Sequence, residues 1–394
     1  FYYHENNRLA SQVVIVDEGS MIDLFLMERL LRAVRDDVRL IVLGDAEQLP
    51  SVDTGAVLRD LVPELVQTQT PWRFLVHGQM QDAGAGPNES PMARCAVRLR
   101  HSYRMRSDDP AGRNLLTIAA HINAGQVEAL FTPTDLWSEC IAPRSAVTEL
   151  TFSKAEHLAA PTTAAALDPF LERWYAELVC GTPEVARLTQ MLYHYGEDGF
   201  NQDDRDRLTR LFQHTERSRI LCLTRVHATG AEAINARLHA RCLQHTGLAQ
   251  LPEFFPGEPV MMLHNDYDKR LFNGDQGLIL RVAMQTSEPQ SMAVFPVAGD
   301  FAAFHLTSLR GQIVLAFALT VHKSQGSEFD HVALILPETD LPLLTREMLY
   351  TAVTRSKRSV TIVGRQELFE QGVRRTIRRF SGIAEKVQQA CVPQ

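Results

Sequence analysis

Two short apolar runs near the start of the chain enclose a helical pattern. Residues 13–16 and 40–43 are rich in Val and Ile, and residues 22–34 between them repeat apolar side chains at three- and four-residue spacing. This order of strand, helix and strand predicts a parallel sheet that is buried on both faces. Both runs end in acidic side chains, at the edge where parallel sheets bind ligands.

The amino-acid composition and the hydrophobic pattern change twice in the middle of the chain. Residues 68–94 are dominated by Gln, Gly, Pro, Asn and Ser, which indicates a long loop followed by a domain boundary near residue 100. Helical patterns then cover residues 111–130 and 164–245, with one strand predicted at 220–224. The pattern therefore predicts a second α/β layer.

In the last third of the chain the apolar runs are shorter and are separated by turn residues. Residues 256–313 form short apolar runs around an Asn273-Gly274 dipeptide, which is a strong hairpin signal and predicts a small β-barrel inserted into the second layer. Three longer strand patterns follow, at 316–320, 332–336 and 360–363.

Composition narrows the class of protein. The 394 residues are 45% hydrophobic, enough for two or three domains, and no apolar run approaches the roughly 20 residues of a membrane span. The six cysteines form no C-x-x-C pair, so neither a zinc site nor a disulfide framework is indicated, and a reducing cytoplasm fits best. We expect no membrane association.

Charge is distributed unevenly. The net charge of −7 argues weakly against binding to nucleic acid, but the last forty residues are basic. The basic side chains there include Arg355, Lys357, Arg358, Arg365, Arg374, Arg375, Arg378 and Arg379. The four arginines between 374 and 379 are equally consistent with a solvated helix face.

Asp17-Glu18, directly after the first strand pattern, is the first candidate for chemistry. Nucleotide hydrolysis requires one carboxylate to hold Mg²⁺ beside the phosphates and another group to orient or deprotonate the attacking water. Asp17 and Glu18 fit these two roles. An Asp-Glu pair after a strand is also common as a helix N-cap, so the pair alone does not decide the matter.

Side chains elsewhere complete this chemistry. The amide of Gln48, after the second strand, can bind a γ-phosphate or its attacking water, although the surrounding sequence also fits a tight turn. Arg104 lies just beyond the domain boundary, and Arg355 lies in a helical pattern; a guanidinium can stabilise transition-state charge. A surface salt bridge for Arg104 and a solvated helix position for Arg355 are the competing interpretations.

Residues 320–330 collect hydrogen-bond donors at a strand-to-helix turn. Thr, His, Lys, Ser and Gln follow one another within six positions, and Gly326 permits close approach of the backbone. A turn of this kind suits contact with phosphate groups. A purely structural turn seldom has such a composition.

The ordered series of these segments resembles the superfamily 1 helicases. The segments are Val-Asp-Glu-Gly-Ser at 16–20, Gly-Asp-Ala-Glu-Gln-Leu-Pro-Ser-Val at 44–52, Ser-Tyr-Arg at 102–104, Phe-Asn-Gly-Asp at 272–275, Thr-Val-His-Lys-Ser-Gln-Gly-Ser-Glu-Phe at 320–329 and Tyr-Thr-Ala-Val-Thr-Arg-Ser-Lys at 350–357. Within that superfamily the chain resembles the RecD family, the 5′-to-3′ motor subunit of the RecBCD helicase-nuclease (exodeoxyribonuclease V). The resemblance covers nearly the whole chain, and residues 322–329 are its most specific part.

The resemblance implies a role for each matching residue. The implied roles are Mg²⁺ coordination by Asp17, water activation by Glu18, γ-phosphate sensing by Gln48, nucleotide contact by Glu328, arginine fingers at Arg104 and Arg355, and contact with single-stranded DNA by Thr320, His322 and Ser324. The implied cofactors are ATP and Mg²⁺.

The resemblance also implies an architecture. It is an α/β fold with two RecA-like parallel-sheet domains of the P-loop NTPase type, the first incomplete and spanning residues 1–98. The second spans 99–256 and 315–394, and the barrel at 257–314 is similar to the SH3-like domain of this subfamily. The long loop before Ser102 looks more like the RecBCD subunit than its stand-alone relatives.

The function implied is that of an ATP-dependent 5′-to-3′ DNA helicase subunit in double-strand break repair and homologous recombination. Its expected partners are single-stranded DNA at a double-strand end and RecB-like and RecC-like subunits. Polarity comes from the family alone. Two alternative hypotheses remain: a stand-alone RecD-like or relaxase-linked helicase, and a non-catalytic DNA-binding or scaffold fragment.

Two departures from the family pattern matter. Gly19 stands where the family usually has Ala, which is expected to loosen the start of the following helix. The sequence also contains no G-x-x-x-x-G-K-[ST] loop, which supplies the Lys that holds the β- and γ-phosphates and a hydroxyl for Mg²⁺. We therefore expect a truncated chain that does not turn over ATP by itself.

Overall fold

A computed structural model gives the architecture of most of the chain. The structure describes residues 2–51, 55, 57–61, 74–76, 79–81, 97, 99, 102, 104, 105, 108–132, 140–159, 164–243, 252–284, 288–377, 382, 383 and 386. Most of the predicted loop at 68–94 lies outside these residues. A short antiparallel hairpin is described within it, formed by β3 (Phe74–Val76) and β4 (Gln79–Gln81).

The predicted strand, helix, strand unit is confirmed. Strand β1 (Val13–Val16) pairs in parallel with β2 (Arg39–Val42), and helix α1 (Leu24–Ala33) connects them. The helix begins where it does because the Asp23 carboxylate accepts a hydrogen bond from the Leu26 N–H at 2.8 Å, which satisfies one of the free donors of the first turn. A short helix α2 (Val57–Leu61) follows.

The prediction that this first sheet is buried on both faces is wrong for the described residues. Ile15 of β1 is 63% exposed and Phe25 of α1 is 68% exposed. Two strands and one connecting helix are too few to cover both faces of a sheet, so the apolar side chains remain at the surface.

The second sheet is larger and parallel throughout. Its six strands are arranged in the order β15-β9-β16-β17-β6-β5. Their bounds are β5 Ala142–Arg144, β6 Ala155–Leu158, β9 Ser218–Cys222, β15 Ala318–Thr320, β16 Phe329–Ile335 and β17 Ser356–Val363. The four strands predicted from their apolar sequences are all present, and the α/β class with parallel sheets is confirmed.

Strand β6 escaped prediction because its sequence, Ala-Glu-His-Leu, is not apolar. Both polar side chains are nevertheless buried and paired: Glu156 accepts hydrogen bonds from the Thr151 and Phe152 N–H groups, and His157 Nε2 lies 3.0 Å from the Gly364 carbonyl. Burial lowers the pKa of His157, so the neutral ring is favoured. Buried polar groups of this kind are tolerated only when they are hydrogen-bonded.

Eight further α-helices lie within the described residues. Six of them pack on this sheet, whereas the helices at residues 183–190 and 202–215 pack on the third sheet. In chain order the eight helices are α3 Pro110–Ala124, α4 Val127–Phe131, α5 Ala164–Trp174, α6 Pro183–Gln190, α7 Gln202–Thr215, α8 Ala231–Leu243, α9 Arg346–Val353 and α10 Gln366–Arg374. A π-helical turn, Tyr175–Cys180, extends α5. None of the helices in the described ranges is both long and apolar enough to span a membrane.

The third sheet contains seven strands. Five of them are antiparallel in the order β13-β12-β11-β10-β14, with bounds β10 Pro259–Met262, β11 Gln276–Met284, β12 Gln290–Val297, β13 Asp300–His305 and β14 Ile313–Leu315. The sheet is larger than the predicted insertion at 257–314, since β7 (Leu192–Gly196) pairs in parallel with β11 and also carries β8 (Gly199–Phe200). The SH3-like barrel and the three domain boundaries stay predictions.

Candidate nucleotide and single-strand site

The acidic pair follows β1 in a constrained conformation. Glu18 has φ 50° and ψ 42°, the left-handed region that non-glycine residues rarely occupy. The Glu18 N–H donates to the Asp17 carboxylate at 2.8 Å, and a short 3-10 turn at Gly19–Met21 follows. Such strain concentrates at functional sites, where surrounding structure holds the residue in place.

Gly19 brings the two strand ends together. Its N–H donates to the Leu43 carbonyl at 2.7 Å, and a Cβ added at this position would lie 2.5 Å from Val42 Cγ1. The glycine therefore permits a close approach between the segment after β1 and the segment after β2.

The loop after β2 is organised around Asp45. One carboxylate oxygen accepts hydrogen bonds from Gln48 Nε2 at 3.0 Å and from the Tyr350 hydroxyl at 3.1 Å, while the other accepts from the Glu47 N–H at 3.0 Å. Tyr350 belongs to α9, so this carboxylate joins the first sheet unit to the second. The Gln48 amide is oriented by the same contacts.

Arg355 lies between α9 and β17 and is buried, with 1% of its surface exposed. Its guanidinium donates from Nη2 to Gln48 Oε1 at 2.8 Å, from Nη1 to the Ser327 carbonyl at 3.2 Å and from Nε to the Thr351 carbonyl at 3.3 Å. Burial lowers the pKa of Arg355, as does the nearby charge of Arg104, whereas Glu18, Asp45 and Glu328 raise it. The solvated position considered for Arg355 is therefore wrong.

Arg104 forms a second cationic centre. Its Nε donates to Glu328 Oε2 at 2.7 Å and its Nη1 donates to the Thr354 carbonyl at 3.0 Å. Lys357 Nζ lies 3.6 Å from the same Glu328 oxygen. Burial raises the pKa of Glu328, but the Arg104 hydrogen bond and the charges of Arg104 and Lys357 outweigh it, so the pKa of this carboxyl is lowered.

A cavity of about 1320 Å³ lies between these groups. Its lining includes the polar side chains of Gln48, Arg104 and Glu328 and one face of α3. Its described lining residues are Asp45, Glu47, Gln48, Leu99, Ser102, Arg104, Met105, Leu116, Ala119, Ala120, Asn123, Ala124, Glu328, Tyr350, Thr354 and Lys357. Arg355 is not part of the lining but reaches it through Gln48.

The donor-rich turn begins where β15 ends, at the carboxyl edge of the six-stranded sheet. Thr320 and His322 are partly exposed, and Gly326 has φ +75°. The space that a Gly326 Cβ would enter is 3.9 Å from Glu18 Oε1, so the turn lies against the acidic pair. The structure thus brings the predicted nucleotide and single-strand segments next to each other.

Ser324 is oriented differently from its neighbours. It is fully buried, and its hydroxyl donates to the Val321 carbonyl at 2.7 Å. In this arrangement the side chain shapes the turn and does not face solvent. Its orientation was not readable from the sequence.

Several residues of the site were not predicted from the sequence. Tyr350, Thr351 and Lys357 belong to a segment that was quoted for Arg355 alone, and Gln325 belongs to the donor-rich turn. The pKa of Lys323 is lowered mainly by burial and, to a smaller extent, by the positive charge of Arg225, which lies in the loop after β9. Proximity of Arg225 to the turn was not signalled by any local pattern.

The basic end of the chain has a structural explanation. Arg375 pairs with both oxygens of Asp340 and also donates to the Leu341 carbonyl, while Arg374 pairs with Glu370 and Glu128. Arg378 and Arg379 lie outside the described residues.

A magnesium ion fits the donor set near Asp17. Mg²⁺ is usually held by one or two carboxylates together with phosphate oxygens and water, and Asp17 is exposed with a carboxylate beside Glu18. The described residues contain no cluster of three or more His, Cys, Asp or Glu side chains of the kind that forms a metal cage.

Comparison with known proteins shows which proteins the chain resembles. The model of the UvrD-like helicase C-terminal domain matches residues 315–363, and an AAA domain model matches residues 4–80. The chain is 33% identical over 388 residues to the RecBCD enzyme subunit RecD of Mycobacterium tuberculosis, which covers 98% of the chain and 55% of that protein. Nearly the whole chain is therefore similar to RecD subunits, over about half of their length.

Other similarities are more distant. The chain is 27% identical over 352 residues to the ATP-dependent RecD2 DNA helicase of Deinococcus radiodurans, covering 88% of the chain and 35% of that protein. A Pif1 helicase from Bacteroides, solved with ADP-AlF3 and ssDNA, matches 98% of the chain and 76% of its own length at 14% identity with a TM-score of 0.41. The chain spans about half the length of the curated RecD relatives that it matches.

Proposed function

We propose that the full-length protein containing this chain is an ATP-dependent DNA helicase, and that this chain supplies part of its nucleotide site and its single-strand contacts. The observation that carries the proposal is the hydrogen bond between Arg355 and Gln48, which joins the two parallel-sheet units beside a cavity of about 1320 Å³. We assign these two units to the two RecA-like motor domains. ATP then binds between them.

In the proposed site each residue acts through its observed position. Asp17 is placed to hold Mg²⁺, which would neutralise developing phosphate charge when bound. Glu18 orients or deprotonates the attacking water, and Gln48 contacts the γ-phosphate. Arg104 and Arg355 stabilise transition-state charge, with Arg104 released from Glu328 when phosphate competes for its guanidinium.

Single-stranded DNA is proposed to contact the turn at residues 320–326. Thr320 and His322 are the direct contacts, since both side chains are partly exposed at the carboxyl edge of the sheet. Ser324 supports the turn from inside. Arg225 and Lys323 add positive charge beside it, as a phosphate backbone requires.

We further propose that the full-length protein is the 5′-to-3′ motor subunit of a RecBCD-type complex in the cytoplasm. It would act at double-strand ends in repair and recombination. The support for this proposal is the RecD name of the relatives that match nearly the whole chain. RecB-like and RecC-like chains would then copurify with the full-length protein. A protein that unwinds DNA without such partners would instead be a stand-alone helicase, like the Deinococcus relative in name.

The decisive experiment is ATP hydrolysis by the full-length protein with and without single-stranded DNA. We expect stimulation by DNA, and we expect the chain printed here, expressed alone, to show none because it lacks the G-x-x-x-x-G-K-[ST] loop. Absence of stimulation in the full-length protein would reject the helicase proposal. Turnover by the chain alone would reject the assignment of phosphate binding to that loop.

A further inference from the structure

Leu49 belongs by sequence to the loop after β2, but its side chain is packed into the other unit. It is 2% exposed and lies in a core cluster with Leu319 of β15, Val321 of the donor-rich turn and Leu349 of α9. Among the described residues of this cluster, Leu49 is the one that comes from the first sixty-one positions. The side chain therefore anchors the first unit in the second.

The backbone of Leu49 is held at both of its polar groups by side chains of the second unit. Its N–H donates to Thr351 Oγ1 at 2.8 Å, and its carbonyl accepts from Gln325 Nε2 at 2.8 Å. Thr351 is fully buried in α9. Backbone groups of a loop are usually satisfied by other backbone groups or water, so capture by two side chains from another unit is unusual.

Leu49 lies between the cavity and the turn proposed to contact single-stranded DNA. Leu49 directly follows Gln48, whose amide contacts Arg355 and lines the cavity. Gln325 lies between Ser324 and Gly326, in the turn proposed to contact single-stranded DNA. One residue thus connects the nucleotide side to the DNA side through two hydrogen bonds and a buried side chain.

We propose that Leu49 is a positioning residue that couples the nucleotide state at Gln48 to the conformation of the DNA-contacting turn through Gln325, with Thr351 as its second anchor. The inference rests on the proposed helicase function. A displacement of the loop at Gln48 moves Leu49, and Leu49 either carries Gln325 with it or loses both hydrogen bonds. The coupling is reciprocal, because two sites linked in this way must affect each other's affinity equally.

The sharpest variants change Thr351. Thr351→Val keeps the shape and removes the hydroxyl acceptor, whereas Thr351→Ser keeps the hydroxyl and removes a methyl group. If the hydrogen bond from the Leu49 N–H is what couples the sites, Thr351→Val should impair the coupling. If packing alone is responsible, Thr351→Ser should impair it instead. Gln325→Met removes the second hydrogen bond at similar length, and Gln290→Met, at an exposed position at the start of β12, is its matched control.

Two quantities should be measured on the full-length protein and each variant. The first is the ratio of ATP turnover with and without saturating oligo(dT). The second is the change in the dissociation constant for fluorescent oligo(dT) on addition of a non-hydrolysable ATP analogue. We expect Thr351→Val and Gln325→Met each to reduce both ratios by about fivefold, the loss of one net hydrogen bond, and the control Gln290→Met to leave them within about twofold. Thr351→Ser keeps the hydroxyl acceptor and should therefore reduce both ratios less than Thr351→Val.

The outcomes separate the inference from the function on which it rests. If wild type is stimulated by DNA but Thr351→Val and Gln325→Met retain full stimulation, or lose turnover equally with and without DNA, Leu49 is only a structural anchor and the coupling proposal is overturned. If wild type itself shows no stimulation by DNA, the helicase proposal fails and the coupling proposal fails with it. Thermal unfolding of every variant identifies a loss that is due to unfolding, and a double variant that is no worse than either single one supports a shared pathway.

Discussion

Arg355 Nη2 donates a hydrogen bond to Gln48 Oε1 at 2.8 Å, although the two residues are 307 positions apart in the chain. Asp45 fixes the other end of the Gln48 amide, and the carbonyls of Thr351 and Ser327 fix the rest of the guanidinium. Within the described residues, the hydrogen bonds of this buried cation all go to neutral oxygens. The carboxylates of Glu18, Asp45 and Glu328 compensate its charge only from nearby, so a further anion would be favoured. A phosphate group next to Gln48 would be such an anion.

Replacement of Arg355 by Lys should abolish most DNA-stimulated ATP hydrolysis in the full-length protein. A lysine cannot reproduce the three hydrogen bonds of the planar guanidinium, and removal of an arginine finger typically lowers turnover by about 10³-fold or more. Arg358→Lys, three positions away and exposed, is the matched control and should be near wild type. Equal turnover in the Arg355 variant would remove this residue from the catalytic site.

Thr320→Ala and His322→Ala should each weaken binding of single-stranded DNA by about 1–2 kcal/mol, or roughly fivefold to thirtyfold in dissociation constant. Both side chains are partly exposed at the turn after β15. Fluorescence anisotropy with oligo(dT) measures the change. Thr307→Ala and His305→Ala, at exposed positions just after and at the end of β13, are the controls. Unchanged affinity in both turn variants would exclude the contact.

Ser324→Ala tests the inward orientation of that side chain. Because the hydroxyl donates to the Val321 carbonyl inside the turn, its loss should lower the free energy of unfolding by about 1 kcal/mol. The affinity for oligo(dT) should fall much less than in the Thr320 variant. A larger loss of affinity than of stability would place Ser324 among the direct DNA contacts.

The Arg104–Glu328 pair predicts a specific pH dependence of stability. The pKa of Glu328 is lowered from its ordinary value of 4.5, so its carboxylate stabilises the folded state above about pH 4.5 and this contribution is lost as the pH falls through the lowered folded-state pKa. Glu328→Gln should therefore lower the melting temperature slightly at pH 7, since exposed ion pairs contribute at most about 1 kcal/mol, and the difference from wild type should shrink at lower pH. Glu338→Gln, at an exposed glutamate that follows β16, serves as the control. A difference that grows on acidification would contradict the assignment.

Gly326→Ala should destabilise the protein because φ +75° is unfavourable for a residue with a Cβ, at a cost of about 1 kcal/mol. Gly311→Ala provides a matched control, as Gly311 has φ +72° and open space around it. The two variants should lose similar stability in denaturant titrations. DNA-stimulated ATP hydrolysis should fall only in the Gly326 variant, which alters the turn beside Glu18; an equal fall in both would trace the effect to stability alone.

Much of the fold was predictable where local pattern and burial agree. The strands β1, β2, β9, β16 and β17 are apolar runs, and the structure has them close to the predicted positions. Strand β6 was missed because paired polar groups occupy it. The helical pattern predicted for residues 164–245 is wrong at β7 and β8, because β7 is held as a strand by pairing with the distant β11, which leaves no local trace in the sequence. Hydrophobic periodicity reports which face of an element is buried, not which strand lies beside it.

In the candidate site, too, some features were determined by the local sequence and others only by packing. The sequence by itself determined the chemical groups and their order: Asp17-Glu18 and Gln48 after apolar strands, the donors at 320–326 and the arginine at 355. Tertiary structure alone decided that Arg355 is buried against Gln48, that Ser324 faces inward and that Leu49 is held by Thr351 and Gln325. The physical reason is that side-chain chemistry and local turn geometry are encoded within a few residues, whereas burial and hydrogen-bond partners depend on packing between segments some 300 residues apart.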